Sequence, residues 1–314
     1  MDFIHPSLAE ITEAHSRIQN YIHRTPILTS KSINEITGAD IYFKCENLQK
    51  IGAFKIRGAT NAVFQLKDNI KAVATHSSGN HAQAVAYAGK LRGLKAYIVM
   101  PENAPKVKVK AVKGYGAEVI FCEPNQKARE AALNKVVENT GAAFIHPYDN
   151  EKVICGQATA SKELLEDAPR LDIVMTPVGG GGLLSGTSLT VNYLSKGTKV
   201  IAGEPAGADD AYRSFYSDQI FPSINPKTIA DGLLTSLGQR NYSIIKEYVD
   251  SIICVDDQEI INAMQLIWER MKIVIEPSSA VPLAALIKNK ADFDNKKVGI
   301  ILSGGNVDLG KLPF

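Results

Sequence analysis

The sequence predicts a doubly wound α/β protein, and three observations carry that expectation. Short β-branched runs recur along the chain, most of them continuously apolar, as strands of a parallel sheet covered on both faces must be. Amphipathic stretches of helical length separate them. Four consecutive glycines, Gly179, Gly180, Gly181 and Gly182, stand where an apolar run gives way to a helical pattern.

In chain order the candidate strands are 41–45, 72–76, 96–100, 118–122 and 143–146, then 173–178, 199–204, 251–255 and 298–303. Helical patterns occupy 80–91, 127–139, 156–166 and 258–271. The span from about 72 to 145 reads as a compact βαβαβαβ block, and a second α/β block runs from about 156 to the end. The residues before 72 fit either block.

Composition narrows the function classes. Lys and Arg number 35 against 33 Asp and Glu, a net charge of +2 with no basic run, which argues against nucleic acid as a partner. A chain of 314 residues buries roughly three quarters of its unfolded surface and needs no disulfide or metal staple. Its four cysteines, Cys45, Cys122, Cys155 and Cys254, lie far apart without zinc spacing and read as small buried hydrophobes. The N-terminus lacks a signal-peptide pattern, and no apolar run approaches a membrane span. The expectation is a soluble, cytoplasmic enzyme or binding protein with no membrane partner.

Four short segments carry the candidate chemistry. The glycine run exposes consecutive backbone N–H groups at a helix start, a nest for a phosphate dianion. Without a following lysine it is no triphosphate loop, and it lacks the dinucleotide spacing. Lys55 stands between Phe54 and Ile56, so desolvation would depress its pKa and favour a nucleophilic neutral amine. A phosphate nest plus such a lysine is the pair that pyridoxal phosphate requires. Ser303 closes the last strand, where its hydroxyl suits either a pyridine nitrogen or a helix cap. Ser77, Ser78, Gly79, Asn80 and His81 form a strand-to-helix turn able to cap a helix or to hold a substrate carboxylate.

These segments, in this order and across nearly the whole chain, resemble the serine racemase and serine–threonine dehydratase group of fold-type II pyridoxal-phosphate enzymes, with serine racemases the nearer match. The resemblance implies two doubly wound open sheets with helices on both faces. It also implies a large domain of 1–70 with 149–314 and a small mobile domain of 71–148 that closes over the substrate. Lys55 would hold the cofactor, Phe54 would stack beside its ring and Asn80 would bond its phenolic oxygen. Gly179, Gly180, Gly181, Gly182 and Leu183 would bind its phosphate, and Ser303 would face the ring nitrogen. Glu204, Ala208 and Asp210 resemble a loop for Mg²⁺, Ca²⁺ or Mn²⁺. Ser77, Ser78, His81, Arg129 and Thr235 would line the substrate side. Lys50, Gln83, Tyr115, Arg270, Lys272 and Asn306 match a site where relatives bind ATP as an activator between subunits of a homodimer.

The implied activity is racemisation of serine, with Lys55 and Ser78 as bases on opposite faces, accompanied by elimination to a 2-oxo acid and ammonia. The alternatives are a dedicated L-threonine or L-serine dehydratase, an L-threo-3-hydroxyaspartate ammonia-lyase, and a non-catalytic phosphate-binding protein. Two departures from the family pattern stand out. Ala53 replaces the usual serine before Phe54-Lys55, and Ala82 resembles the dehydratases while Ser78 resembles the racemases.

Overall fold

The computed structural model describes residues 3–314. Its strands are β1 (Ile27–Leu28), β2 (Asp40–Cys45), β3 (Ala72–His76), β4 (Lys95–Pro101) and β5 (Glu118–Cys122). They continue as β6 (Ala143–Phe144), β7 (Ile173–Pro177), β8 (Lys199–Pro205), β9 (Ser251–Val255) and β10 (Lys297–Leu302). The helices begin with α1 (Leu8–Ile18), α2 (Lys31–Thr37), α3 (Lys55–Phe64), α4 (Asn80–Leu91), α5 (Lys106–Gly114) and α6 (Gln126–Thr140). The remainder are α7 (Glu151–Asp167), α8 (Gly182–Leu194), α9 (Asp210–Phe215), α10 (Gln239–Tyr248), α11 (Asp257–Met271) and α12 (Pro277–Lys288).

Every anticipated strand is present, and they divide between two sheets. One sheet has the order β1-β2-β10-β7-β8-β9 and the other β5-β4-β3-β6. All pairings are parallel except β1 with β2. The antiparallel edge strand β1 lies outside the expected set because two residues carry no readable period. In the stretch at 143–146, Ala143 and Phe144 pair with β3 and the Ile145 N–H still donates to the Ala74 carbonyl at 2.9 Å, while the His146 ring accepts backbone bonds from Tyr148 and Asp149.

The six-stranded sheet is covered on both faces. Against one face pack Ile260, Met264 and Ile267 of α11 with Val281, Leu283 and Leu286 of α12. Against the other pack Leu164 of α7, Leu183 and Leu184 of α8 and Ile245 of α10. In the four-stranded sheet, Ala82 and Val85 of α4 cover Val73 and Ile98, and Leu133 and Val136 of α6 cover Ala74 and Val99. Each sheet is thus wound on both sides, as the continuous apolar strands required.

Three helices meet by backbone contact. An added Cβ at Gly156 of α7 would lie 2.5 Å from Gly58 Cα and 2.6 Å from the Arg57 carbonyl oxygen of α3. One at Gly186 of α8 would lie 2.6 Å from the Ala158 nitrogen of α7. Only hydrogen side chains let α3, α7 and α8 approach this closely, and that approach fixes Lys55 on α3 relative to the glycine run at the head of α8.

Gly156→Ala therefore forces backbone apart rather than a flexible side chain. The expected cost is about 1–3 kcal/mol, the usual range for overpacking. Urea unfolding followed by circular dichroism measures it, and an unchanged midpoint would contradict the packing described.

Candidate active site

In open parallel sheets, binding crevices form outside the carboxyl ends of the strands. Here Ser77 follows β3, Gly179 lies just past β7, Glu204 is the penultimate residue of β8 and Ser303 follows β10. From β2 the chain passes through a tight turn in which Ile51 and Gly52 take left-handed φ values of 59° and 71°. Ala53 then bridges to Gly304, and the Phe54 N–H donates to the Ser303 carbonyl at 3.0 Å. This stitching delivers Lys55 as the first residue of α3.

The Lys55 amine donates to the Pro147 carbonyl at 3.0 Å and lies 5.1 Å from the Phe54 ring centre. The residue is half-buried, and the groups packed around the amine desolvate it. That desolvation lowers its pKa to about 8, with the Glu276 charge pulling the other way. An amine so placed releases its proton near neutral pH and is then a nucleophile or base.

The glycine run needs its glycines sterically. A Cβ at Gly180 would enter the Tyr148 ring, one at Gly179 would meet Leu233 at 3.0 Å, and one at Gly181 would meet Asn241 and Leu237 at 2.7 Å. Gly181 also takes a φ of 94°, which L side chains avoid. Asn241 clamps the run by donating to the Gly180 carbonyl at 2.8 Å. Among the described residues, no protein acceptor takes the amide hydrogens of Gly179 to Gly182 or of Leu183. Five unspent N–H groups at the positive end of α8 make an anion cradle.

Asn80 opens α4, and its amide donates to both carboxylate oxygens of Glu276, at 2.9 and 3.2 Å. Asn306 donates to the Asn80 carbonyl oxygen at 2.9 Å and to Ile51 O at 2.7 Å. The Ser303 hydroxyl is buried 3.1 Å from that of Ser279, which also bonds the Gly304 backbone. The Ser77 hydroxyl accepts from Gly79 N at 3.2 Å, and Ser78 follows it in the same partly exposed turn. His81 is buried, with its Nε2 on the Ile145 carbonyl at 3.0 Å and its Nδ1 unpartnered. Desolvation and the Lys55 charge hold its pKa well below the usual histidine range, so the ring is neutral. Arg129 on α6 has a buried Nε without a partner, and burial together with the Arg129 charge lowers the pKa of the His76 ring. Burial pushes the Tyr148 hydroxyl up to about 12, and the exposed Thr235 lies close enough to favour its ionised form.

Glu204 and Asp210 are both fully buried and adjacent. Glu204 accepts from Ala211 N and Tyr212 N at 2.9 and 2.6 Å, and Asp210 accepts from Leu237 N at 2.8 Å. The Asp210 Oδ1 has no partner. Burial, with repulsion between the two carboxylates, raises Glu204 well above its ordinary value, and burial raises Asp210 to about 6. Among the described residues no group of three or more His, Cys, Asp or Glu assembles here, so a cation would need the buried Ala208 backbone or water as well. An orphaned carboxylate oxygen beside a second buried carboxylate fits a hard divalent ion.

Among the described residues, no hydrogen bond or ion pair joins the six positions matched to a nucleotide site to one another. Gln83 is buried on α4, Lys50 and Tyr115 are partly exposed, and Arg270 and Lys272 are exposed at the end of α11. Only Asn306 among them touches the site, through Asn80.

Residues 18–304 match the family model described as pyridoxal-phosphate dependent enzyme. The chain belongs to that family. It is 54% identical to a serine racemase of Dictyostelium discoideum over 98% of this chain and 96% of that protein. It is 51% identical to a beta-hydroxyaspartate dehydratase of Paracoccus denitrificans over 98% of this chain and 99% of that protein. The crystal structure of the Dictyostelium serine racemase superposes with a TM-score of 0.92 at 55% identity, covering 96% of this chain and 99% of that one. The fold is the fold-type II pyridoxal-phosphate architecture. The residues present fit the family's cofactor: a dehydrated amine for its aldehyde and five free amides for its phosphate.

Two neighbours of Lys55 escaped sequence reading. Tyr148 lies on the glycine run, and Glu276 accepts from Asn80 while its charge acts on the Lys55 amine. The available signal for Glu276 was positional: it is the N-cap of α12 before Pro277, yet it makes no capping bond, and glutamate is not a favoured cap.

Burial pushes the Glu276 carboxyl from 4.5 up to about 7. The folded chain therefore retains a proton there that the unfolded chain has released, so this contribution to stability is full below about 4.5 and is lost as pH rises through about 7. Lys55 acts oppositely: lowered from 10.5 to about 8, its contribution returns as pH rises from 8 towards 10.5. Melting of the cofactor-free protein across about pH 5 to 7 should decline less steeply in Glu276→Gln than in the parent. Identical slopes would remove Glu276 as the proton-holding group.

Proposed function

We propose that this chain is a pyridoxal-phosphate-dependent serine racemase that interconverts L- and D-serine, with accompanying elimination of serine or threonine to 2-oxo acid and ammonia. What carries the reading is the buried, easily deprotonated Lys55 amine set with the free glycine amides, in a chain 54% identical to a serine racemase. When bound, pyridoxal phosphate supplies an electron sink for negative charge at the substrate α-carbon.

Lys55 would hold the cofactor and, as a free amine, would take the substrate α-proton on one face. Its pKa near 8 suits that task, because a base poised close to ambient pH both accepts and returns a proton. Ser78 delivers a proton to the opposite face. Gly179, Gly180, Gly181, Gly182 and Leu183 would fix the phosphate, Phe54 would pack beside the ring, Asn80 would bond the phenolic oxygen and Ser303 would face the ring nitrogen. Ser77 and His81 seat the substrate, with Thr235 at the pocket margin. Residues 71–148 form the small domain that closes over the substrate, opposite 1–70 with 149–314. Support for that division comes from the separate sheets and from the Lys108–Asp231 ion pair between them.

A second reading rests on Arg129. Its unpartnered Nε is suited to a second carboxylate, and the 51% identical dehydratase is named for beta-hydroxyaspartate. We also assign Mg²⁺, Ca²⁺ or Mn²⁺ to Glu204, Asp210 and the Ala208 carbonyl, with the orphaned Asp210 Oδ1 as the supporting feature. ATP is assigned to the Lys50, Gln83, Tyr115, Arg270, Lys272 and Asn306 positions as an activator, and the active form is a cytoplasmic homodimer.

Ser78→Ala tests the racemase reading. Elimination from L-serine should survive, since Lys55 alone removes that proton, while D-serine formation should fall by about 10²-fold or more. Pyruvate release and chiral chromatography are the readouts. Parallel loss of both activities, or no D-serine from the parent, would hand the site to the dehydratase reading.

Adding Mg²⁺ or Ca²⁺ should raise the melting temperature and a chelator should lower it, because binding to the folded state alone stabilises it. Asp210→Asn should abolish the response. A chelator without effect on the parent leaves two buried carboxyls and no ion.

A further inference from the structure

Two residues beyond Lys55, Arg57 is fully buried and engaged at every nitrogen. Its Nε and Nη2 donate to the two oxygens of Glu46 at 2.7 and 2.8 Å, and its Nη1 and Nη2 donate to those of Glu163 at 2.9 and 2.7 Å. Nη1 also reaches the Thr159 hydroxyl at 3.1 Å. Lys44 joins the group, donating to Glu163 at 2.7 Å and to the Thr25 carbonyl at 2.8 Å. Thr25 donates to Glu46 at 2.6 Å, and the His15 Nε2 lies 3.3 Å from Glu163. Two cations and two anions, each at most 1% exposed, therefore balance inside the larger unit.

The placement has a direction. Residues two apart on a helix face opposite sides, so Arg57 points into the protein body while Lys55 points towards Pro147 and the glycine run. The cluster joins α3 to the end of β2 through Lys44 and Glu46, and to α7 through Glu163. A planar fork held by two bidentate carboxylates fixes rotation and height together, which a greasy contact does not. Buried ion groups are a poor source of stability, since well-packed apolar replacements are often as stable or more so. Precise placement is what such a group gives that an apolar patch does not.

We infer that Arg57, clamped by Glu46 and Glu163, is a positioning residue that aims the Lys55 amine. This rests on the reading of Lys55 as the amine that holds the cofactor. Arg57 touches neither substrate nor cofactor. It sets the azimuth of the first turn of α3, which neither the small-residue contact at Gly58 nor the Phe54–Ser303 bond fixes alone.

The test uses the cofactor-free protein with pyridoxal phosphate and borohydride, which convert the amine of Lys55 and the aldehyde into a stable secondary amine with loss of water. Labelling rate at Lys55 is read by peptide mapping, beside the melting temperature. Two variants are compared with the parent: Arg57→Lys, which keeps the charge but loses the double fork, and a neutral fourfold variant with Lys44→Met, Glu46→Leu, Arg57→Met and Glu163→Leu. The expected result is labelling at least tenfold slower in both. The neutral variant should melt at or above Arg57→Lys, so that placement and stability part company. The variants are read independently, and either one, folded, decides.

Labelling within twofold of the parent in a folded variant overturns the inference while leaving Lys55 as cofactor holder. Labelling that recovers in step with melting in the neutral variant also overturns it, reducing the cluster to a structural support. Failure of the parent itself to label at Lys55 removes the underlying reading, and the inference with it.

Discussion

The backbone contact between α3 and α7 is the constraint on which the rest depends. Gly58 and Gly156 let the two helices touch main chain to main chain, and Gly186 brings α8 against α7 in the same way. The site needs an amine and an anion cradle at a set separation, and these lie at the heads of α3 and α8. Without that stack the two helix heads would float on side chains of variable reach. With it, their separation is set by covalent geometry and close packing, the least compressible materials a protein has.

Electrostatics then follow from burial. The interior holds its charges in two ways. Around Arg57 they are paired and hydrogen-bonded, as buried ions must be. Around Lys55 they are left underpaired: a single carbonyl for the amine, a raised carboxyl at Glu276, a neutral His81 with a bare Nδ1. Underpaired titratable groups gathered at strand ends mark a place where protons move. The satisfied cluster lies behind the helix and the unsatisfied one in front.

The strands were legible because parallel strands covered on both faces write themselves as apolar runs, and the glycine run was legible because four glycines in a row have few other uses. The helix α3 was harder to see. Its N-cap Phe54 makes no capping bond, and Gly58 interrupts the pattern. Arg57 reads in sequence as an ordinary solvated arginine, and only the fold brings Glu46 and Glu163 from 11 and 106 residues away. Glu276, 196 residues from Asn80, was hidden for the same reason. Long-range pairing of charged groups leaves no local period, so such partners appear only once the chain is folded.

The most direct measurement of the central claim is isotopic. L-Serine is incubated with the cofactor-loaded protein in D2O, and the products are separated by chiral chromatography with mass detection. The account predicts D-serine carrying one deuterium at the α-carbon, beside some pyruvate. Pyruvate alone, with residual L-serine and no D-serine at any time, would contradict it.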